Sequence, residues 1–381
     1  MEEKRIALQG TQGSVRNPKR LLCIVSNMDA GGAETFLMKM YRKLDRSAYQ
    51  MDFCVSGPSK GYYDDEIKSM GGRIFRICPK TKGFVRYSRD LKEVFVAGCY
   101  DRVLRIGSSS FSALDLWIAR RCGVGVRAMR SSNASDGAGL LGSFLHRATR
   151  ALLTSAATVK IAPSDLAASY TFGMKAVRNG GVSFLKNAID FDEFKFDEVS
   201  RDRIRRELGA VGESLVVGHV GRFSKQKNHA FLLDAFAAVH EARPDAILAL
   251  VGKGELEAEV LGKAEELGVS GSVRLLGVRS DVPALLSAFD VLAFPSLYEG
   301  MPNVVIEAQA AGLPCIVSDT ITREANVTGR VSYLSIDDPS EWAAAVLSAE
   351  SGKRYDGVAA LRAGGYDIDK EVGRFVELVY G

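Results

Sequence analysis

Two cations follow directly on an apolar run in Gly221-Arg222-Phe223-Ser224-Lys225-Gln226-Lys227-Asn228, which continues the stretch LVVGHV from Leu215. Gly221 lets the backbone turn close to a ligand. Asn228 is placed to open a helix as its N-cap. Arg222 and Lys227 at a strand end, beside a helix N-terminus, suit a diphosphate through charge-assisted hydrogen bonds and the helix dipole. The Gly-x4-Gly-Lys-Ser/Thr spacing of a nucleoside-triphosphate loop is absent. By itself the segment also reads as a basic surface turn.

A second cluster is Glu299-Gly300-Met301-Pro302-Asn303-Val304-Val305-Ile306-Glu307, after the apolar run Val291–Phe294. On a continuous helix the two carboxylates would lie two turns apart on one side. Gly300 and Pro302 instead place Glu299 in a loop and Glu307 on the helix that follows. Carboxylates accept hydrogen bonds from sugar or ribose hydroxyls. Backbone N–H groups between Met301 and Val304 can face a diphosphate and a hexose. Two exposed acids on an ordinary loop and helix are the alternative. An acid within VVIEAQAAGLPCIV, however, is costly without a partner, which favours a role for Glu307.

The elements that must hold these residues are legible as short apolar runs alternating with helical patterns. Strands are expected at Arg20–Ser26, Met51–Ser56, Arg73–Ile77, Arg102–Ile106, Val124–Met129 and Thr158–Ile161. A second series starts at Leu215 and continues at Ile247–Val251, Ser272–Leu276, Val291–Phe294 and Cys315–Val317. Such alternation means βαβ units and mostly parallel sheets. The fold class is α/β, with two Rossmann-like domains facing a cleft; ligands in such sheets bind at the carboxyl ends of strands. The 381 residues fit two domains at roughly 100–200 residues each. Residues 1–19 read as a tail, 20–190 as one domain, 191–365 as a second, and 366–381 as a final amphipathic helix. A charged, turn-prone stretch places the hinge around 187–200.

The first 190 residues hold 30 Lys and Arg against 16 Asp and Glu, and the remainder 20 against 30. A basic half attracts anionic partners such as phosphorylated lipids, a membrane surface or nucleic acid; two solvated faces of opposite sign explain the same counts. No nucleic-acid motif accompanies the charge. The six cysteines, Cys23, Cys54, Cys78, Cys99, Cys122 and Cys315, form no Cys-x2-Cys pair. That argues against zinc and fits a reducing compartment. No apolar run approaches the ~20 residues needed to span a bilayer, and the polar N-terminus carries no export signal. A cytoplasmic protein is expected, peripheral at the inner face of the membrane. Asn27-Met28-Asp29-Ala30-Gly31-Gly32 departs from the Gly-x-Gly-x2-Gly of a dinucleotide-binding turn.

Across Val216–Asp319 the fragments GHVGRFSKQKNH, VGKGEL, LLG and SLYEGMPNVVIEAQAAGLPCIVSD stand in one order and spacing. The chain resembles the family 4 retaining glycosyltransferases of the GT-B fold, and within them the bacterial capsule and exopolysaccharide members. The resemblance covers most of the chain after Arg20. It implies a nucleotide sugar, UDP-linked, as donor and a polyprenyl-diphosphate-linked glycan as acceptor, with no metal or other cofactor. It also implies that Arg222 and Lys227 hold the diphosphate, Glu299 the hexose and Glu307 the ribose. Gly252 and Gly254 would permit close approach at a second strand end, and Gly277 with Val278 would lie by the base. Gly31 and Gly32 resemble the glycine loop that faces the donor across the cleft. Asn187-Ala188-Ile189-Asp190 resembles an interdomain Asn-Gly-Ile-Asp, with Ala188 in the glycine position. The terminal helix would pack back on the N-terminal domain.

One departure concerns mechanism. Relatives often carry His-Ser-His-Asn where this chain reads Arg130-Ser131-Ser132-Asn133. None of the four histidines, His146, His219, His229 and His240, replaces them. A histidine base is therefore not expected; the leaving diphosphate can take the acceptor proton, with Arg222 and Lys227 stabilising the departing oxygen. Arg130 and Asn133 are assigned to the acceptor. Asp190-x-Asp192 and Asp367-x-Asp369 match a short metal pattern, but turn and cap roles fit them better. A nucleotide-sugar epimerase or phosphorylase of the same fold, or an inactive sugar-nucleotide-binding protein, are the other readings.

Overall fold

The computed structural model describes residues 17–29, 31–132, 139–348 and 354–381; Asn133 and Ala30 lie outside them. Two sheets carry the chain. The first comprises β1 (Lys19–Ile24), β2 (Tyr49–Ser56), β3 (Ile74–Ile77), β4 (Arg102–Ile106), β5 (Val126–Arg130), β6 (Val159–Ala162) and β7 (Ser183–Phe184), ordered β3-β2-β1-β4-β5-β6-β7. The second comprises β8 (Val216–Val220), β9 (Ile247–Val251), β10 (Val273–Leu275), β11 (Val291–Phe294), β12 (Cys315–Ser318) and β13 (Val331–Leu334), ordered β10-β9-β8-β11-β12-β13. Every named pairing is parallel. Both are therefore doubly wound α/β sheets, and the expected fold class holds. Strand order reverses between β1 and β4 and again between β8 and β11, and a crevice opens at such reversals.

Two strands escape the sequence pattern. β7 has two residues, too few for any periodicity. β13 (VSYL) follows Gly329-Arg330 and is only partly buried, so it lacks the apolar run that marks a central strand.

Asp290 ties together the two strands that matter most. Its carboxylate, buried at the entry to β11, accepts from the Val216 N–H of β8 at 2.9 Å, from Arg201 at 2.7 Å and from Arg205 at 2.9 Å. A buried acid needs this number of donors to offset its desolvation. The tie keeps β8 and β11 in register, so that their far ends emerge side by side.

The chain crosses between the sheets twice. The passages are bonded to each other: Ile189 N–H donates to Tyr366 O at 3.0 Å and Ile368 N–H to Ile189 O at 3.2 Å. After the second crossing, the helix Ile368–Tyr380 joins the first core, where Phe375 meets Phe36 edge to face at 6.3 Å. Arg102 donates to Tyr380 O at 2.7 Å, and Tyr380 OH donates to Gln50 O at 2.8 Å. Each such buried aromatic contributes about 1.5–3 kcal/mol. Lys43 sits between the two acidic pairs, 2.6 Å from Asp190 and 3.2 Å from Asp369. Asp190 and Asp367 also cap the helices that follow them.

Candidate active site

The segment Gly221–Asn228 leaves β8 at the reversal point. Gly221 N–H donates to Val251 O at 2.9 Å and Phe223 N–H to Lys253 O at 3.1 Å. The segment is thus laced to the loop after β9. Phe223 is buried and anchors it, whereas the Arg222 side chain beside it is exposed. Lys225–Lys227 form a short 3-10 turn, and Asn228 adopts the left-handed conformation at φ 55°. Asn228 occupies the N-cap position of the helix His229–Ala242 but makes no side-chain cap bond. Its left-handed backbone, which asparagine tolerates, turns the chain sharply enough to enter the helix.

Lys227 Nζ lies 2.6 Å from Glu299 Oε1 and 4.4 Å from the centroid of the Phe294 ring at the end of β11. A cation from the β8 loop and an acid from the β11 loop thus meet, both largely shielded from water. The loops are further tied by Leu297 N–H to Gln226 O at 2.8 Å and by Gln226 Nε2 to Tyr298 O at 2.7 Å. Arg222 does not join them. Its side chain is 73% exposed and pairs with Glu255 at 3.0 Å. Phe223 takes the inward position, which leaves Arg222 outside.

The helix Asn303–Ala310 begins behind Pro302 with no side-chain cap, so its first N–H groups are open to an acceptor such as a phosphate oxygen. Gly300, Met301, Pro302 and Val304 are buried where the domains meet. Ser164 OH donates to Gly300 O at 3.4 Å. A Cβ built on Gly32 would stand 3.7 Å from Asn303 Nδ2. Gly32, and Gly31 beside it, therefore face the β11 loop across the cleft. The Asn187 amide N–H donates to Asn303 Oδ1 at 2.6 Å.

Glu307 is buried on that helix and meets Lys39 Nζ of the first domain at 2.6 Å. Sequence reasoning singled out Glu307 but passed over Lys39. The signal was the same for both: a charge inside an apolar run, here Leu37, Met38, Met40 and Tyr41, all fully buried.

Gly252 and Gly254 serve backbone packing. A Cβ on Gly252 would fall 2.1 Å from Gly221 O, and one on Gly254 would fall 2.1 Å from Phe223 O. Gly252 N–H also donates to Gly277 O at 2.8 Å. The Arg222 loop, the β9 loop and the β10 loop thus stack layer on layer, with Val278 half exposed at their edge.

Arg130 stands apart from its expected role at the acceptor. It is 2% exposed, lies over the Phe36 ring and donates to Asn187 Oδ1. Burial lowers its pKa from the usual guanidinium value, with Glu371 opposing. It ends β5 and holds Asn187, whose amide in turn reaches Asn303 of the β11 loop. Asn133 lies outside the described residues.

Across the cleft, at the ends of β1 and β4, a cavity of about 370 Å³ is lined by Glu34, Arg105, Ser108, Ser112 and Ser132, with Gln226 and Tyr298 on the far side. Its wall of hydroxyls suits a polyhydroxylated ligand. Burial pushes the Glu34 carboxyl up to about 7, helped by Asp29 and opposed by its own backbone N–H and by Arg105. Glu34 follows Gly31 and Gly32 in the glycine loop, and the fold places its carboxylate on the cavity.

Beneath the Arg222 loop, His219 and His229 meet edge to face at 4.6 Å, and His229 stacks on Phe223 at 4.4 Å. Burial, reinforced by Lys227, lowers His229 to about 4; burial and His229 hold His219 well below its usual range. An unfolded histidine binds a proton near pH 6.5. Between pH 6.5 and about 4 the unfolded chain therefore holds more protons, and stability falls as the pH falls, by up to about 1.4 kcal/mol per pH unit for each ring. Glu34 has the opposite sign, its raised pKa costing stability as pH rises from 4.5 to about 7. The difference between the wild type and His229→Phe cancels Glu34. Thermal melts should show a shallower acid loss in His229→Phe; parallel curves would refute the assignment.

Residues 214–350 match the family described as Glycosyl transferases group 1. Over 376 residues, 94% of this chain and 96% of the relative, the chain is 35% identical to the putative glycosyltransferase EpsF of Bacillus subtilis (strain 168). Over 141 residues, 36% of each chain, it is 36% identical to the UDP-Gal:alpha-D-GlcNAc-diphosphoundecaprenol alpha-1,3-galactosyltransferase of Escherichia coli. The solved structure of Anabaena HepE in complex with UDP and glucose superposes with TM-score 0.75 at 20% identity, covering 94% of this chain and 98% of that one. That last likeness is one of fold, and it gives the two facing sheets the GT-B arrangement. By full-length similarity, by architecture and by the loops at the β8–β11 crevice, the chain belongs to the group 1 glycosyltransferases.

Proposed function

We propose that the protein transfers a hexosyl unit from a UDP-sugar to a hydroxyl of a growing, polyprenyl-diphosphate-linked glycan, with retention of anomeric configuration, in surface-polysaccharide biosynthesis at the inner face of the cytoplasmic membrane. The observation that carries this reading is the Lys227–Glu299 pair at the β8–β11 crevice, a cation and a carboxylate poised for a diphosphate and its sugar. The Escherichia coli relative supports the lipid-linked acceptor by its name, and HepE supports UDP by the ligand in its structure.

In this reading the diphosphate lies on Lys227 and the open N–H groups of the helix Asn303–Ala310. Arg222 swings in from Glu255, since an exposed pair of that kind holds it weakly. Glu299 turns to the hexose hydroxyls, and Glu307, shared with Lys39, reaches the ribose. The bond from the anomeric carbon to the diphosphate oxygen breaks, and charge gathers on that oxygen beside the cations. The acceptor hydroxyl attacks from the same face, and its proton passes to the departing diphosphate. The reading requires no metal, because side-chain cations and helix N–H groups meet the developing charge.

Incubation with a panel of UDP-sugars and a lipid-linked acceptor extract should release UDP and lengthen the acceptor by a hexosyl residue, detected by mass spectrometry. Proton NMR should give the donor's anomeric configuration in the product. An inverted product, or epimerised donor without transfer, would reject this reading.

A further inference from the structure

Two charged side chains on the wall of the first-domain cavity are used by no step above. Glu34 lies in the first turn of the helix Gly32–Lys43, which follows β1. A Cβ on Gly31 would fall 2.5 Å from Glu34 Oε2, so that glycine leaves the space the carboxylate fills. Arg105, in β4, is held rigidly. Its Nε stands 2.7 Å from the fully buried Asp115 carboxylate, which Lys80 at 2.8 Å and Tyr87 at 2.9 Å also share. Its Nη1 donates to Ile24 O at 2.9 Å and to Ile106 O at 2.7 Å. Among the described residues, Nη2 is left without a protein partner, and no ion pair joins Arg105 to Glu34.

These are the parts of a sugar site. A carboxylate takes hydrogen bonds from hydroxyls and a guanidinium gives them, and such charge-assisted bonds are the strong ones. Ser108, Ser112 and Ser132 add hydroxyls that both give and accept. The opposite wall adds an aromatic ring: Tyr298 is 44% exposed, and its carbonyl is pinned by Gln226 Nε2. Gln226 and Tyr298 stand one position before Lys227 and Glu299 respectively, and neither Lys227 nor Glu299 lines the cavity. The cavity therefore adjoins the donor site without containing it, which is where an attacking hydroxyl must stand.

We propose that Glu34 and Arg105 grip the terminal sugar of the acceptor, the Glu34 carboxylate taking one hydroxyl and Arg105 Nη2 donating to another, while Tyr298 covers the sugar from the second domain. This rests on the transfer proposed above, and it moves acceptor recognition from Arg130 to the ends of β1 and β4. Facing Glu34 are Asp29, which favours its proton, and Arg105, which opposes it; Asp115 and Lys80 stand behind Arg105, and the far wall adds Gln226 and Tyr298. Burial holds the Glu34 carboxyl at about 7, so near neutral pH part of the protein carries it protonated. A sugar hydroxyl donating to the carboxylate favours the ionised form. Acceptor binding therefore releases protons and tightens as the pH rises through 7.

With the UDP-sugar saturating and the lipid-linked acceptor extract varied, Glu34→Gln should raise the half-saturating extract concentration about ten- to hundred-fold. Its UDP affinity by calorimetry should match the wild type. At low extract the wild-type rate should climb between about pH 6 and 8, and Glu34→Gln should flatten that climb. Tyr298→Ala, on the opposite wall, should weaken acceptor use and keep the climb. Circular dichroism should be that of the wild type in both. A second arm needs no transfer: with UDP bound, saturation-transfer NMR on a panel of para-nitrophenyl hexosides should give signals that Glu34→Gln abolishes. The proposal is overturned if Glu34→Gln keeps the wild-type half-saturation or pH profile, or if UDP affinity falls as far as acceptor use, which would put Glu34 on the donor. Should Glu34→Gln misfold, wild-type half-saturation in Tyr298→Ala overturns it. Hexoside binding that depends on Glu34, without transfer to the extract, would uphold the cavity and reject the proposed acceptor; neither transfer nor hexoside binding would overturn both.

Discussion

Lys227→Ala is expected to lower kcat/KM for transfer by roughly 10²–10³-fold, the loss typical of removing a preorganised group that faces developing charge. Lys227 is the cation that the fold brings into the β8–β11 crevice, 2.6 Å from Glu299 and over the Phe294 ring. Both side chains are largely shielded from water, so their electrostatics are screened less than at a surface. The variant also leaves Glu299 without this partner, which is expected to cost about 1–3 kcal/mol of stability. Adding Glu299→Gln should recover much of that stability and none of the activity. Calorimetric titration with UDP, a UDP-release assay and thermal melts together separate the two effects. A folded Lys227→Ala protein with wild-type turnover would show that the diphosphate lies elsewhere.

Gly252→Ala is expected to abolish UDP binding and to destabilise the second domain by about 3 kcal/mol, from a single added methyl. Gly252 has φ 139°, outside the range of other residues, and its Cβ would lie 2.1 Å from Gly221 O. That atom is backbone and cannot rotate away. Either the β9 loop lifts or the Gly221–Asn228 segment moves, and both carry Lys227 away from Glu299. Gly262→Ala, with open space around its Cβ in the helix Glu257–Glu266, is the control and should bind as the wild type does and melt no lower, since alanine favours a helix over glycine. Normal UDP affinity in Gly252→Ala would show that the loop stack does not hold the site.

The α/β class, the parallel sheets and the segments bearing Lys227, Glu299 and Glu307 were legible in the sequence because local patterns carry them. Buried parallel strands demand continuous apolar runs, and a charge inside such a run needs a partner. The short edge strands β7 and β13 were not legible, since two to four residues, partly exposed, carry no period. The partners were not legible either. Glu299 is joined to Lys227 across 72 residues and Glu307 to Lys39 across 268. Nothing local relates those positions.

What the sequence determined by itself is the kind of chemistry, for residue type decides which group can hold a phosphate or a hydroxyl. What the tertiary structure decided is which of these groups act together. It brought Lys227 to Glu299, left Arg222 on the solvent side with Glu255, and turned Arg130 inward onto Asn187. The physical reason is that strand order and burial, set by the packing of whole sheets, determine where a side chain points. Neighbouring residues such as Phe223 and Arg222 can therefore face the core and bulk water respectively.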